Sequence, residues 1–94
     1  MPVYMVTWNL NSERANYHFA RSAFIQNLER YQNIQDPGLE SVRWISSTYT
    51  AEQVCADLQT RLDATDRLFV TQITVGTHQG WLSKNIWDWI NARV

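Results

Sequence analysis

Val3, Met5 and Thr7 alternate with Tyr4, Val6 and Trp8, and both sets are mostly apolar. A period of two with two apolar faces predicts an inner strand from Val3 to Leu10, covered on at least one side. Asn9-Leu10-Asn11-Ser12 breaks the pattern. Ser12 or Asn11 is suited to cap a following helix, because a short side-chain oxygen accepts from the free N–H groups of a first turn. Tyr17, Ala20, Phe24, Leu28 and Tyr31 then recur at i, i+3, i+7, i+11 and i+14. That is one stripe of a helix predicted from about Arg14 to Tyr31. Asp36-Pro37-Gly38 is a strong turn signal after it. Glu40 to Ser47 reads as extended, with Val42 and Trp44 on one face and Arg43 and Ile45 on the other. A kink or bulge would split it into two short strands. Thr50-Ala51-Glu52-Gln53 matches the capping box and opens a helix that turns Ala51, Val54, Leu58 and Leu62 inward. Arg67 to Val75 is β-branched and aromatic, hence a strand. Gly76 to Gly80 is a loop, and Leu82, Ile86, Trp89 and Ile90 line a short final helix at about 81–92.

The predicted order is β-α-β(β)-α-β-α in a single domain, 1–94. Two strand–helix units around a split middle strand indicate an α+β fold, the ferredoxin-like βαββαβ sandwich, with an antiparallel sheet and helices on one face. The final helix is an addition. It would cover a sheet edge, the open face or a second subunit.

Composition narrows the function. A chain of 94 residues supports one modest core, and a deep catalytic cleft is hard to build at that size. Net charge is −1, with seven Arg and Lys84 as the one lysine, so no broad field draws nucleic acid or anionic membrane. Cys55 is the one cysteine, so no intrachain disulfide forms and a cytoplasmic setting is expected. No leader pattern and no apolar run of membrane-spanning length is evident, so no membrane partner is expected.

Candidate chemistry is sparse. His18 and His78 are 60 residues apart, and no His, Cys or acidic pair has metal-ligand spacing. No nucleophile elbow or phosphate-binding glycine cluster is present. Asp63 and Asp66 fit a turn, where Asp bonds its own backbone. Cys55 lies near its helix's apolar stripe and reads as a small core residue. Asn9 and Asn11, at the end of the first strand, would project from one side if the strand continued. Arg14, His18 and Arg21 share a helix face and, with Arg43, form a candidate phosphate-binding set. Trp87 lies off the final helix's apolar stripe and is a candidate interface residue.

Some of these residues carry a family likeness. Val6-Thr7-Trp8-Asn9-Leu10-Asn11 followed by Asn16-Tyr17 resembles the small SinR-like proteins allied to CRISPR-associated proteins. So do Val42-Arg43-Trp44-Ile45-Ser46-Ser47, Thr50 to Val54 with Leu58, Leu62-Asp63, and Asp66 to Val70. The likeness spans most of residues 1–75. It implies kinship in fold with the ferredoxin-like CRISPR adaptation subunits and the VapD ribonucleases. It also implies a homodimer packed through its sheets, nucleic-acid handling and, in some relatives, metal-dependent cleavage. The acid that those nucleases place at the end of strand one falls on Asn9 here, and a neutral amide is neither a base nor a good ligand for a hard cation. The leading expectation is therefore a non-catalytic, dimeric interaction module without a cofactor. The alternative is a nucleic-acid-binding protein or weak nuclease using Mg²⁺ with Asn9, Asn11, Arg14 and Arg43.

Overall fold

In the computed structural model, which describes residues 1–94, the alternating first segment is β1 (Val3–Asn9). It lies inside a four-stranded antiparallel sheet. The chain continues through α1 (Tyr17–Leu28), β2 (Gln32–Ile34), β3 (Val42–Ser46), α2 (Ala51–Gln59), β4 (Arg67–Ile73) and α3 (Lys84–Asn91). The strand order is β2-β3-β1-β4. This is the ferredoxin-like α+β sandwich that the element order predicts.

Burial on both faces explains why β1 is apolar throughout. Tyr4, Val6 and Trp8 pack with Ile45 under Ala20, Phe24 and Leu28 of α1 and Val54 and Leu58 of α2. On the other face, Val3 and Trp44 pack against Ile86 and Ile90 of α3, with Met5, Ile34, Val42, Ile73, Leu82 and Trp89 around them. The third helix therefore covers the open face of its own sheet, one of the three positions considered for it, and the fold has three layers. Each fully buried aliphatic or Phe side chain in these clusters contributes about 1.5–3 kcal/mol.

Several boundaries differ from expectation: α1 ends at Leu28 and not Tyr31, α3 begins at Lys84 and not at 81, and three other differences have clear local causes. The first helix starts at Tyr17, not Arg14, and its N-cap is Asn16. Asn11 caps a preceding turn instead: its side-chain oxygen accepts from the Glu13 N–H at 3.0 Å, and its carbonyl accepts from the Arg14 N–H at 3.2 Å. The split expected within Glu40 to Ser47 does not occur: that stretch carries one strand, β3, and β2 lies before the Asp36-Pro37-Gly38 turn, which joins the two. β2 has three residues, two of them polar, too few to display alternation. The last strand stops at Ile73 because Thr74 begins a turn, its carbonyl accepting from the Thr77 N–H at 3.2 Å. The capping box forms as predicted, with Gln53 N–H to Thr50 Oγ1 at 3.1 Å and Thr50 N–H to Gln53 Oε1 at 2.9 Å. No helix is long and apolar enough to cross a membrane.

Candidate functional site

The odd residues of β1 and of β4 project from the face that α3 covers, and the cluster around α3 takes in Val3, Met5 and Ile73 but not Thr7, Asn9, Arg67 or Phe69. At the other end the register sets Thr7 opposite Phe69 and Asn9 opposite Arg67. Phe69 keeps 61% of its surface exposed there. A shallow cavity of about 220 Å³ lies among Thr7, Trp8, Asn9, Arg67, Leu68 and Phe69. Asn9 and Arg67 are exposed, and Thr7 Oγ1 donates to the Ser41 carbonyl at 2.9 Å.

The same strand supplies an open edge. The Trp8 N–H donates to the Ser41 carbonyl and the Ser47 N–H to the Pro2 carbonyl. Even-numbered residues of β1 therefore bond β3, and odd-numbered ones bond β4. By that register Arg67, Phe69, Thr71 and Ile73 face β1, and Leu68, Val70 and Gln72 turn their N–H and C=O groups outward. β4 is the last strand of the sheet on that side. It contains no Pro, no Lys and no bulge in its ladder with β1, the devices that usually blunt an edge.

The residues singled out from sequence do not converge. Asn11 and Arg14 meet at Asp66, whose side chain is fully buried. Asp66 accepts from the Asn11 N–H at 2.9 Å, from the Asp63 N–H at 3.0 Å and from Arg14 Nη1. Arg14 Nε also lies 3.2 Å from an Asp63 oxygen. The Thr65 hydroxyl and N–H, helped by Arg14, hold the Asp63 carboxyl below its ordinary range. This cluster ties the loop after β1 to the start of β4, so Arg14 is spent on internal carboxylates and not on a phosphate. Asp66 is more than the turn former expected. Two of its three partners, Arg14 and Asn11, lie 52 and 55 residues away, so no local spacing signals them.

Arg43 is buried on β3. Its Nη1 donates to Asn33 Oδ1 at 2.9 Å and its Nη2 to Gln35 Oε1 at 3.2 Å, while Nε has no partner. Burial lowers its pKa, Glu29 opposes that and Arg21 adds to it. Arg21 is thus within electrostatic reach of Arg43 but is itself exposed on α1. Trp87 is half-buried and stacks on His78, ring centroids 5.9 Å apart at 18°. The fully exposed tryptophan is Trp81, in the loop before α3.

At the end of β1 Asn9, a neutral amide and a poor ligand for a hard cation, lies opposite Arg67 in the register, and Arg67 Nη1 donates to the Ala64 and Asp66 carbonyls at 3.2 and 2.9 Å. No group of three or more His, Cys, Asp or Glu side chains is placed to hold a metal. No protein-family model, curated protein or solved structure matches this chain.

Proposed function

We propose that this chain is a non-catalytic interaction module that pairs with a second copy of itself through β4. The observation that carries this reading is the unblunted outer edge of β4, with Leu68, Val70 and Gln72 turning their backbone groups outward. An antiparallel β4–β4 pair centred on Val70 sets Leu68 opposite Gln72 of the partner. Three hydrogen-bonded residue pairs then form, about six bonds, each worth roughly 0.5–1.5 kcal/mol net. Arg67 falls opposite Ile73 of the partner, so no like charges meet. The two Phe69 rings lie diagonal to each other on one face, within reach of aromatic contact. The sheets of the two copies become one continuous sheet.

The SinR-like resemblance leads to the same expectation of a homodimer, reached through a different surface. Asn9 in place of an acid supports binding over cleavage.

Light scattering at micromolar concentration tests the reading, with Gln72→Pro as the diagnostic variant. Proline at position 72 removes an outward donor and leaves the ladder to β1 intact. The wild-type chain should give a dimer mass and Gln72→Pro a monomer mass, with the same far-ultraviolet spectrum. A wild-type monomer refutes the association. A dimer that persists in Gln72→Pro refutes the surface.

A further inference from the structure

The loop that joins β4 to α3 builds a second surface. An open cavity of about 550 Å³ is lined there by Gly76, His78, Gln79 and Gly80 of the loop, by Trp87 and Asn91 of α3 and by two valines. No Asp, Glu, Lys or Arg side chain lines it. The loop is fixed at its start. The Thr74 carbonyl accepts from the Thr77 N–H at 3.2 Å, from the Thr77 hydroxyl at 2.9 Å and from His78 Nδ1 at 3.0 Å. A carbonyl only accepts, so Nδ1 carries a proton, and in the neutral ring Nε2 is then an acceptor. The stack on Trp87 holds the same imidazole from its face. Gly76 has φ +81°, a conformation that favours glycine, and a Cβ there would meet nothing. A Cβ at Gly80 would lie 3.6 Å from Trp87 Cζ2, so glycine keeps that edge of the indole free of a side chain. Gln79 and Asn91 are exposed, and no hydrogen bond of the fold uses either side chain. Trp81, the residue after Gly80, keeps its whole surface in solvent.

We propose that this cavity binds the ring of a sugar. Its lining offers no charged partner to a phosphate, a carboxylate or an ammonium group. The polar groups it leaves unused are two amides, each both donor and acceptor, and one imidazole acceptor. A hydroxyl also donates and accepts, so neighbouring ring hydroxyls pair with an amide through both its N–H and its C=O. A purely apolar ligand would cover those amides without pairing them, at the cost of their desolvation. The C–H face of a pyranose is apolar, and Trp87, with Trp81 beside the cavity, supplies indole surface to meet it. The volume falls in the range of small-ligand clefts. An open site contacts one side of its ligand, so affinity should be modest, with Kd of about 1–10 mM. A nucleotide or nucleic-acid strand fits less well, because no cation meets its phosphate.

The test is a proton–nitrogen correlation spectrum of the whole chain, titrated with the methyl glycosides of glucose, galactose, mannose and N-acetylglucosamine, each to about 30 mM. At least one glycoside should move the backbone signals of residues 76–81 and the side-chain amide signals of Gln79 and Asn91, and saturate. Gln79→Ala and Asn91→Ala should each weaken that glycoside about fivefold, the loss of one hydrogen bond. Trp81→Ala should weaken it by about as much. All three side chains are exposed, so none of the changes threatens the fold.

If no glycoside moves these signals, or if Gln79→Ala and Asn91→Ala leave its affinity unchanged, the proposal is overturned. Adenosine, titrated in parallel, overturns the choice of a sugar if it moves the same signals and binds more tightly than every glycoside. Self-association that survives Gln72→Pro and is abolished by Trp81→Ala also overturns it, by assigning this surface to a second copy. Running every titration on Gln72→Pro as well keeps the result independent of pairing through β4.

Discussion

Replacing Asp66 by Ala should be the most damaging single change outside the two apolar cores. The Asp66 side chain is fully buried and the Arg14 side chain is 15% exposed. Removing the carboxylate strands two backbone donors, the Asn11 and Asp63 N–H groups. Both are partly buried, so each costs up to about 1–3 kcal/mol, the figure for a fully buried donor. It also leaves Arg14 with only Asp63, whose side chain is 47% exposed and therefore screened. Breaking a buried pair by deleting one member costs about 3–5 kcal/mol, and the same range covers the stranded donors. A chain of this length has roughly 5–14 kcal/mol in total, so about a fifth or more of the stability is at stake. Urea unfolding followed by tryptophan fluorescence measures it. With a slope of about 2 kcal/mol per molar, the midpoint should fall by roughly 2 M. Asp63→Ala should cost much less. The cycle of Asp66→Ala with Arg14→Ala should be non-additive by more than about 1 kcal/mol. A loss below about 1 kcal/mol for Asp66→Ala, or an additive cycle, would refute the claim that Asp66 is the hub tying the loop after β1 to the start of β4.

Arg43→Met should fall within about 1 kcal/mol of wild type or be more stable, since an apolar chain of similar shape no longer buries an unpartnered Nε; a loss above about 2 kcal/mol in urea would contradict that. Ile90→Ala should cost about 2–5 kcal/mol and raise binding of a hydrophobic dye, because Ile90 is buried between α3 and the sheet; an unchanged midpoint would mean α3 does not seal that face. Burial, reinforced by a hydrogen bond to Asp57, raises the Tyr31 pKa far above its ordinary 10.0. Alkaline ultraviolet titration should therefore show a late-ionising phenol that Tyr31→Phe abolishes. The Asp63 pKa is depressed from its ordinary 3.8, so its contribution to stability is present above that value and is lost as pH falls through the folded pKa. Asp63→Ala should flatten part of the acid limb of a melting-temperature profile and leave its shape above neutrality unchanged; an unaltered acid limb would count against this.

The parts of the fold legible in the sequence are those in which local pattern and tertiary demand agree. The apolar faces of β1, the Ala20-Phe24-Leu28 stripe and the Thr50 capping box each combine a local preference with a burial requirement. β2 was hidden because three residues cannot display a period and its edge position asks little of its side chains. The start of α1 was misplaced because Asn11 turns the chain before the helix begins. For the candidate surfaces, Asn9 was marked by its place at a strand end, but its neighbours Arg67 and Phe69 come from register, which long-range pairing sets. The partners of Arg14 and Arg43 are illegible in the sequence because they are distant in it or are uncharged amides.

The position of α3 decides which surfaces remain for association. In a four-stranded sandwich with two helices on one face, the bare second face is the natural place for two copies to meet, as the SinR-like resemblance implies. Here Ile86 and Ile90 are 1% exposed against that face, and Leu82 and Trp89 add to the cover. Face-to-face packing would require α3 to lift away, exposing two fully buried aliphatic side chains at about 1.5–3 kcal/mol each, before any new contact formed. Trp89 is further held by Arg93, whose guanidinium carbon lies 4.1 Å from the centre of one of its rings. Pairing along β4 disturbs none of this. It needs only the outward groups of Leu68, Val70 and Gln72, at the side of the sheet where α3 leaves Phe69 exposed. The added helix thus closes one route to assembly and leaves the strand edge as the cheaper one.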